Sequence, residues 1–190
     1  DGVLSLRKDD YKGSWEEFVV PDLVDGIIVR ELDRNFFLNC KELQTVVLSD
    51  CIEVLGEQTF YNCDALTEIR FGKNLKTISP RAFINCVSLT SITIPDTVEK
   101  IGLRAFNSCT ALTDVTLGRG ITELPSYLFS CCYKLRRVNC LGVITSVGDF
   151  AFSDCPALEK IYVPAGCDWN AVAIGSDNDA LSHAEIVVEK

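Results

Sequence analysis

ISPRAFINCVSLTSITIPDTVEK, residues 78–100, runs directly into IGLRAFNSCTALTDVTLGRGITE, residues 101–123, and the two align without a gap. In each, a cysteine stands three residues after the phenylalanine of Ala-Phe, and a leucine three residues beyond that. The alignment extends in both directions. Cysteines 40, 63, 86, 109, 132 and 155 recur every 23 residues, each preceded by Phe37, Phe60, Phe83, Phe106, Phe129 or Phe152. A constant period of this length is the mark of a solenoid, in which each repeat is one coil stacked on the last.

Other rows keep the same register. The opening row is Leu32, Leu55, Ile78, Ile101, Leu124 and Val147; the row after the cysteine is Leu43, Leu66, Leu89, Leu112, Leu135 and Leu158. A third row, Val46, Ile69, Ile92, Val115, Val138 and Ile161, lies two residues before a fourth, Leu48, Phe71, Ile94, Leu117, Cys140 and Val163, with a mostly polar residue between them. This alternation predicts short strands buried on one face, which stacked coils pair in parallel along one, concave side. The stretch around Ala82-Phe83 or Ala105-Phe106 has room only for a short helix or 3₁₀ turn on the convex side. Pro95, Pro164, Gly72 and Gly118 mark the strand exits. The expected class is an α/β solenoid.

The ends depart from the repeat. Phe18-Val19-Val20-Pro21 matches Ile92-Thr93-Ile94-Pro95, but Val20 and Leu48 are 28 residues apart, which places a five-residue insertion near Asp25-Gly26-Ile27-Ile28-Val29. Beyond Cys155 the phenylalanine and cysteine rows stop; residues 168–173 read as a helical turn and 184–189 as a final strand. The chain reads as one domain, with an N-terminal cap and opening coil over 1–31, six repeats over 32–166 and a C-terminal cap over 167–190.

Its 190 residues suffice for one continuous core. Nearly half are apolar, at 47%, yet no stretch approaches a membrane span. With neither an initiator methionine nor a charged-then-apolar leader, the chain reads as a mature form or an excised segment. The absence of Asn-x-Ser/Thr sequons disfavours a secreted eukaryotic glycoprotein. A net charge of −9 opposes nucleic-acid phosphate and anionic lipid as partners.

With Leu-x-x-Ile-x-Ile-Pro following Ala-Phe-x-x-Cys over Ile78–Pro95, and again at Leu158–Pro164, the repeat resembles the BspA-like (treponemal-type) leucine-rich repeat. The resemblance covers roughly Phe18 to Gly166, and the Asp25-Gly26 insertion resembles the opening coil of such proteins. It implies a curved, right-handed solenoid from a secreted or surface-attached protein, often of host-associated bacteria, with adhesive roles. It implies no shared catalytic residues. Leu128, Cys131 and Cys140 depart from the usual repeat residues.

Ten cysteines in an extracellular chain suggest disulfides. The spacing argues for packing instead. Equivalent residues of adjacent coils lie about 4.8 Å apart at a sheet and farther apart on a convex side, with parallel Cβ vectors, whereas a disulfide needs Cβ atoms converging to roughly 3.5–4.5 Å. Buried thiols behave as small hydrophobes. Cys140 falls in the fourth apolar row, and Cys167 in the row of Ile52, Leu75, Val98, Ile121 and Ile144. Cys51, in a turn, and Cys131, in the polar row of Asn39, Asn62, Asn85, Ser108 and Asp154, are the candidates for exposed thiols.

No catalytic constellation is legible, and no cofactor or metal is expected. The one histidine, His183, lies in the C-terminal cap and has no repeat position. Gly118-Arg119-Gly120 lacks the context of a phosphate loop. Asp177-Asn178-Asp179 lacks the glycine and distal glutamate of a calcium loop and reads as a polar loop.

The informative surface is the open face of the sheet. One column reads Glu17, Thr45, Glu68, Ser91, Asp114, Arg137, Lys160; the next reads Val19, Val47, Arg70, Thr93, Thr116, Asn139, Tyr162. Acidic character leads early, and Arg137 with Lys160, backed by Arg136, makes the late end basic, with Tyr162 beside it. Candidate ligand-binding residues are Glu68, Arg70, Asp114, Arg137, Asn139, Lys160 and Tyr162. Two functions fit: a recognition module for a protein or glycan ligand, host-derived in the adhesin case, or a structural spacer in a larger surface protein. The oligomeric state is left open.

Overall fold

The structure, a computed structural model, describes residues 16–189 and the backbone of Val3–Leu4. Each coil contributes two short strands, so the stack carries two parallel ladders. The main ladder takes Glu17–Val19, Thr45–Val47 and Glu68–Arg70 in one sheet, and Ser91–Thr93, Asp114–Leu117, Arg137–Cys140, Lys160–Val163 and Glu185–Val188 in another. Its register is the one read from the rows: Val46 pairs with Ile69, Val115 with Val138, and Leu117 with Cys140. Phe18 pairs with Val46, so the N-terminal segment is a coil in register. The opening row, in two-residue strands too short for any alternation to announce, forms the second ladder, with Leu32 on Leu55 and Leu55 on Ile78.

Between the ladders runs the phenylalanine–cysteine segment. In place of the expected short helix it makes consecutive turns. N–H groups alternate in direction: those of Gln58, Phe60 and Asn62 bond the carbonyls of Pro80, Ala82 and Ile84 in the next coil, while those of Thr59, Tyr61 and Cys63 close turns on residues three before. A helix points every N–H along its own axis and bonds nothing across the stack. The alternation needs a left-handed residue every fourth position, as at Gln58 (φ 59°) and Asn62 (φ 58°). This is why asparagine, serine and aspartate fill the row of Asn39 to Asp154. Asn85 Nδ2 donates to Asn62 Oδ1 and Asn62 Nδ2 to Asn39 Oδ1, so these side chains bond one another as a ladder. In the companion row, Tyr127 and Phe150 accept the same strained φ; their rings stack at 4.7 Å, and the Arg104 guanidinium lies 4.4 Å over Tyr127.

The core is one spine. Phe37, Phe60, Phe83, Phe106, Phe129 and Phe152 are fully buried and stack ring on ring. The spacing is 5.0 Å from Phe83 to Phe106 and widens to 5.8 Å at Phe129. In that coil Leu128, also fully buried, stands where Ala82, Ala105 and Ala151 stand in others.

Each ladder is interrupted once. Pro125 stands where Gly56, Ser79, Gly102 and Gly148 donate to the preceding coil. Lacking an N–H, it leaves Lys100–Ile101 and Glu123–Leu124 in separate sheets. The main ladder breaks between Glu68–Arg70 and Ser91–Thr93. At that junction the bulky Phe71 replaces an aliphatic residue of the fourth row and turns its ring edge-on to Phe83, leaving itself and Ile69 only half-buried.

The insertion is an antiparallel hairpin, Leu23–Val24 on Ile27–Ile28. It turns through Asp25 (φ 51°) and Gly26 (φ 78°), the two left-handed residues of a tight hairpin. At the C-terminus, Asp168 caps a 3₁₀ turn over Trp169–Ala171 and accepts from the Asn170 N–H. Glu185–Val188 pairs with Lys160–Val163 and covers the last coil. Asn178 is a staple: its Nδ2 donates to the carbonyls of Gly148 and Gly175, and its Oδ1 accepts from the Phe152 N–H.

Candidate functional site

The strand pairings bring the predicted columns into line. Ser91, Asp114, Arg137, Lys160 and Glu185 are consecutive partners, as are Thr93, Thr116, Asn139, Tyr162 and Val187. Asp114, Val115, Thr116, Arg137, Asn139, Tyr162 and Glu189 line an open hollow of about 220 Å³. Four of the seven predicted residues thus meet at one place. Glu68 and Arg70 lie beyond the ladder interruption, exposed and paired with each other at 2.6 Å. Lys160 lies in the same column as Arg137 but outside the hollow.

The basic late end expected from sequence does not survive as a charged patch. Arg137 Nε donates to Asp114 at 2.5 Å, Lys160 to Glu185 at 2.9 Å, and Arg136 to Glu159 at 2.6 Å. The Arg137 guanidinium, helped by the Thr113 hydroxyl, holds the Asp114 carboxyl below the usual carboxylate range. Glu185 lies in the cap strand and Glu189 just after it; that strand pairs Glu185 with Lys160 at an offset of 25 residues rather than 23, so the period does not reveal them. The Asn139 Oδ1 is enclosed without a hydrogen-bond donor.

The thiols serve the fold. The Sγ atoms of Cys63, Cys86, Cys109, Cys132 and Cys155 each donate to the carbonyl of the phenylalanine one coil back, at 3.1–3.2 Å. The ladder is therefore hydrogen-bonded as well as packed. Burial pushes Cys63, Cys109, Cys140 and Cys155 up to about 12, which suppresses the thiolate that thiol chemistry requires. No disulfide joins any of the ten, and only Cys51 and Cys131 reach partial exposure. A thiol reagent at pH 8 is expected to label these two quickly and the other eight only on unfolding, countable by mass spectrometry.

Among the described residues, no group of His, Cys, Asp and Glu is placed to hold a metal ion, and no helix is long and apolar enough to cross a membrane. His183 is exposed at the end of a 3₁₀ turn.

A stack of parallel-strand coils with a phenylalanine spine and an open, polar sheet face defines a leucine-rich-repeat solenoid. The profile of the BspA type leucine rich repeat region matches residues 30–159 in six copies, and the chain belongs to that family. The leucine-rich repeat protein of T. pallidum is similar in structure, with a TM-score of 0.74 and 28% identity over 87% of this chain and 75% of that one. The pneumococcal vaccine antigen PcpA superposes with a TM-score of 0.76 at 24% identity, over 92% of this chain but only 42% of its own. A leucine-rich repeat protein of Bacteroides ovatus shares the fold at 19% identity and a TM-score of 0.52, over 100% of this chain and 66% of that one. Comparison with curated proteins finds no match. Repeats of this family mediate protein interactions, and the fold is generally non-catalytic.

Proposed function

We propose that the chain is a non-catalytic recognition module of a secreted or cell-surface bacterial protein, binding a protein or glycan ligand in the manner of an adhesin. The ligand docks on the open face of the main ladder, at the hollow of Asp114, Arg137, Asn139 and Tyr162. The observation that carries this reading is the convergence of those residues, from three neighbouring strands, on one concavity. The family supports the extracellular setting. The spacer reading draws on a different observation. Among the described residues, ten of the eleven ion pairs link neighbouring coils, Arg70–Glu68 being the exception, so the paired charge serves mainly to hold the stack together.

The test is an array of extracellular-matrix proteins and host glycans probed with the purified chain, with Tyr162→Ala and with Arg70→Ala. A ligand lost in Tyr162→Ala and kept in Arg70→Ala places recognition at the hollow. Retention by both moves it elsewhere on the surface, and no ligand at all favours the spacer.

A further inference from the structure

The lining of the hollow restricts its occupant. Arg137, Thr116 and the Asn139 amide N–H supply donors; Asp114 and Glu189 supply acceptors; Tyr162 supplies one ring. Val115 is the one aliphatic residue in its lining, and it is only 2% exposed. A protein hot spot calls for a deep apolar pocket that an anchor side chain can desolvate, and one nearly covered valine is a poor substitute. Its volume, about 220 Å³, equals roughly seven waters at about 30 Å³ each, the scale of a single sugar ring.

The charges decide further. The cation of Arg137 is neutralised by Asp114, and Lys160, one strand on, by Glu185. Glu189 has no cationic partner among the described residues, so the lining residues count two carboxylates, Asp114 and Glu189, against the one cation of Arg137. An acidic ligand would face the Glu189 carboxylate and would have to take Arg137 from Asp114. A neutral polyhydroxyl ligand disturbs neither.

Taking the hollow as the recognition site proposed above, we infer that it binds a neutral saccharide and discriminates against sialylated, uronate and sulfated ones. Tyr162 packs against the C–H face of the ring, Asn139 and Arg137 bond its hydroxyls, and Glu189 repels anionic substituents.

The test is titration calorimetry, with saturation-transfer NMR for weak binders, using matched neutral and acidic sugars: lactose against sialyllactose, chitotriose against a heparin trisaccharide, and mannotriose against its sulfated form. Binding of at least one neutral member is expected, with its acidic counterpart weaker by about tenfold or more, a difference of about 1.4 kcal/mol. Tyr162→Ala should abolish the neutral binding, and Glu189→Gln should narrow the neutral-to-acidic ratio. Tighter binding of an acidic member, neutral binding that persists in Tyr162→Ala, or no neutral binding across the panel overturns the inference. A protein ligand lost in Tyr162→Ala while no sugar binds would overturn the saccharide and leave the recognition module standing.

Discussion

Phe106→Ala is expected to lower the unfolding free energy by about 3–5 kcal/mol, the cost of deleting a fully buried ring whose neighbours cannot close over the space. Phe106 has no solvent exposure and lies between Phe83 and Phe129, at 5.0 and 5.8 Å. Both neighbours are themselves fixed by backbone bonds of the turn ladder, Phe83 N–H to the Ala105 carbonyl and Phe129 N–H to the Ala151 carbonyl. Collapse into the cavity would break those bonds. Thr93→Ala, on the exposed face of the main ladder, is the control and should change stability by less than about 0.5 kcal/mol. Urea denaturation of the two variants measures the difference. Equal midpoints would mean that the spine is not the core.

The second large effect is expected at Gly118. A Cβ placed there would meet the Pro95 carbonyl oxygen at 2.3 Å and its carbon at 2.4 Å. These are backbone atoms of the preceding coil and cannot swing aside. The row alternates: Ser49, Gly72, Pro95, Gly118 and Leu141 stack in succession, glycine between bulkier residues, so neighbouring coils approach through the missing side chains. Gly118→Val must separate two coils, at a cost of about 1–3 kcal/mol or more. The expected readout is a lowered midpoint together with faster amide exchange in Asp114–Leu117. A variant as stable as the parent would show that the coil spacing is relaxed there.

Most of the fold was legible because a solenoid repeats each of its decisions. A single leucine at 112 carries little information, but six in register fix its row. What escaped was whatever the period does not carry. The second ladder uses two-residue strands, too short for alternation. The turns resemble a 3₁₀ segment in sequence because both close bonds on the residue three before; the difference lies in the sign of φ at positions such as Gln58, for which the run of asparagines at 39, 62 and 85 is a usable cue. Pro125, alone in a row of glycine and serine, was a visible signal of the ladder interruption. The candidate site was half legible. Alternation placed Asp114, Arg137, Asn139 and Tyr162 on one face, but the partner that neutralises Lys160 and the second carboxylate that lines the hollow come from the cap, outside the repeat. Charge read from a column was therefore charge before pairing, and a basic patch became a compensated one.

The two ladder interruptions fall at different junctions and on different sides of the stack. Elsewhere three lines of bonding run from coil to coil; at each of these junctions one line is cut and the other two remain. Along the described residues the stack is thus three runs of continuous ladder bonding joined at two seams, the central one comprising the coils that begin at Ile78 and Ile101. Bending at the first seam gapes the open face, while bending at the second gapes the side of the second ladder. A spine jointed in two directions can adjust its curvature without unstacking a coil, and because the second seam separates the coil of Asp114 and Thr116 from that of Arg137 and Asn139, bending there reshapes the hollow itself.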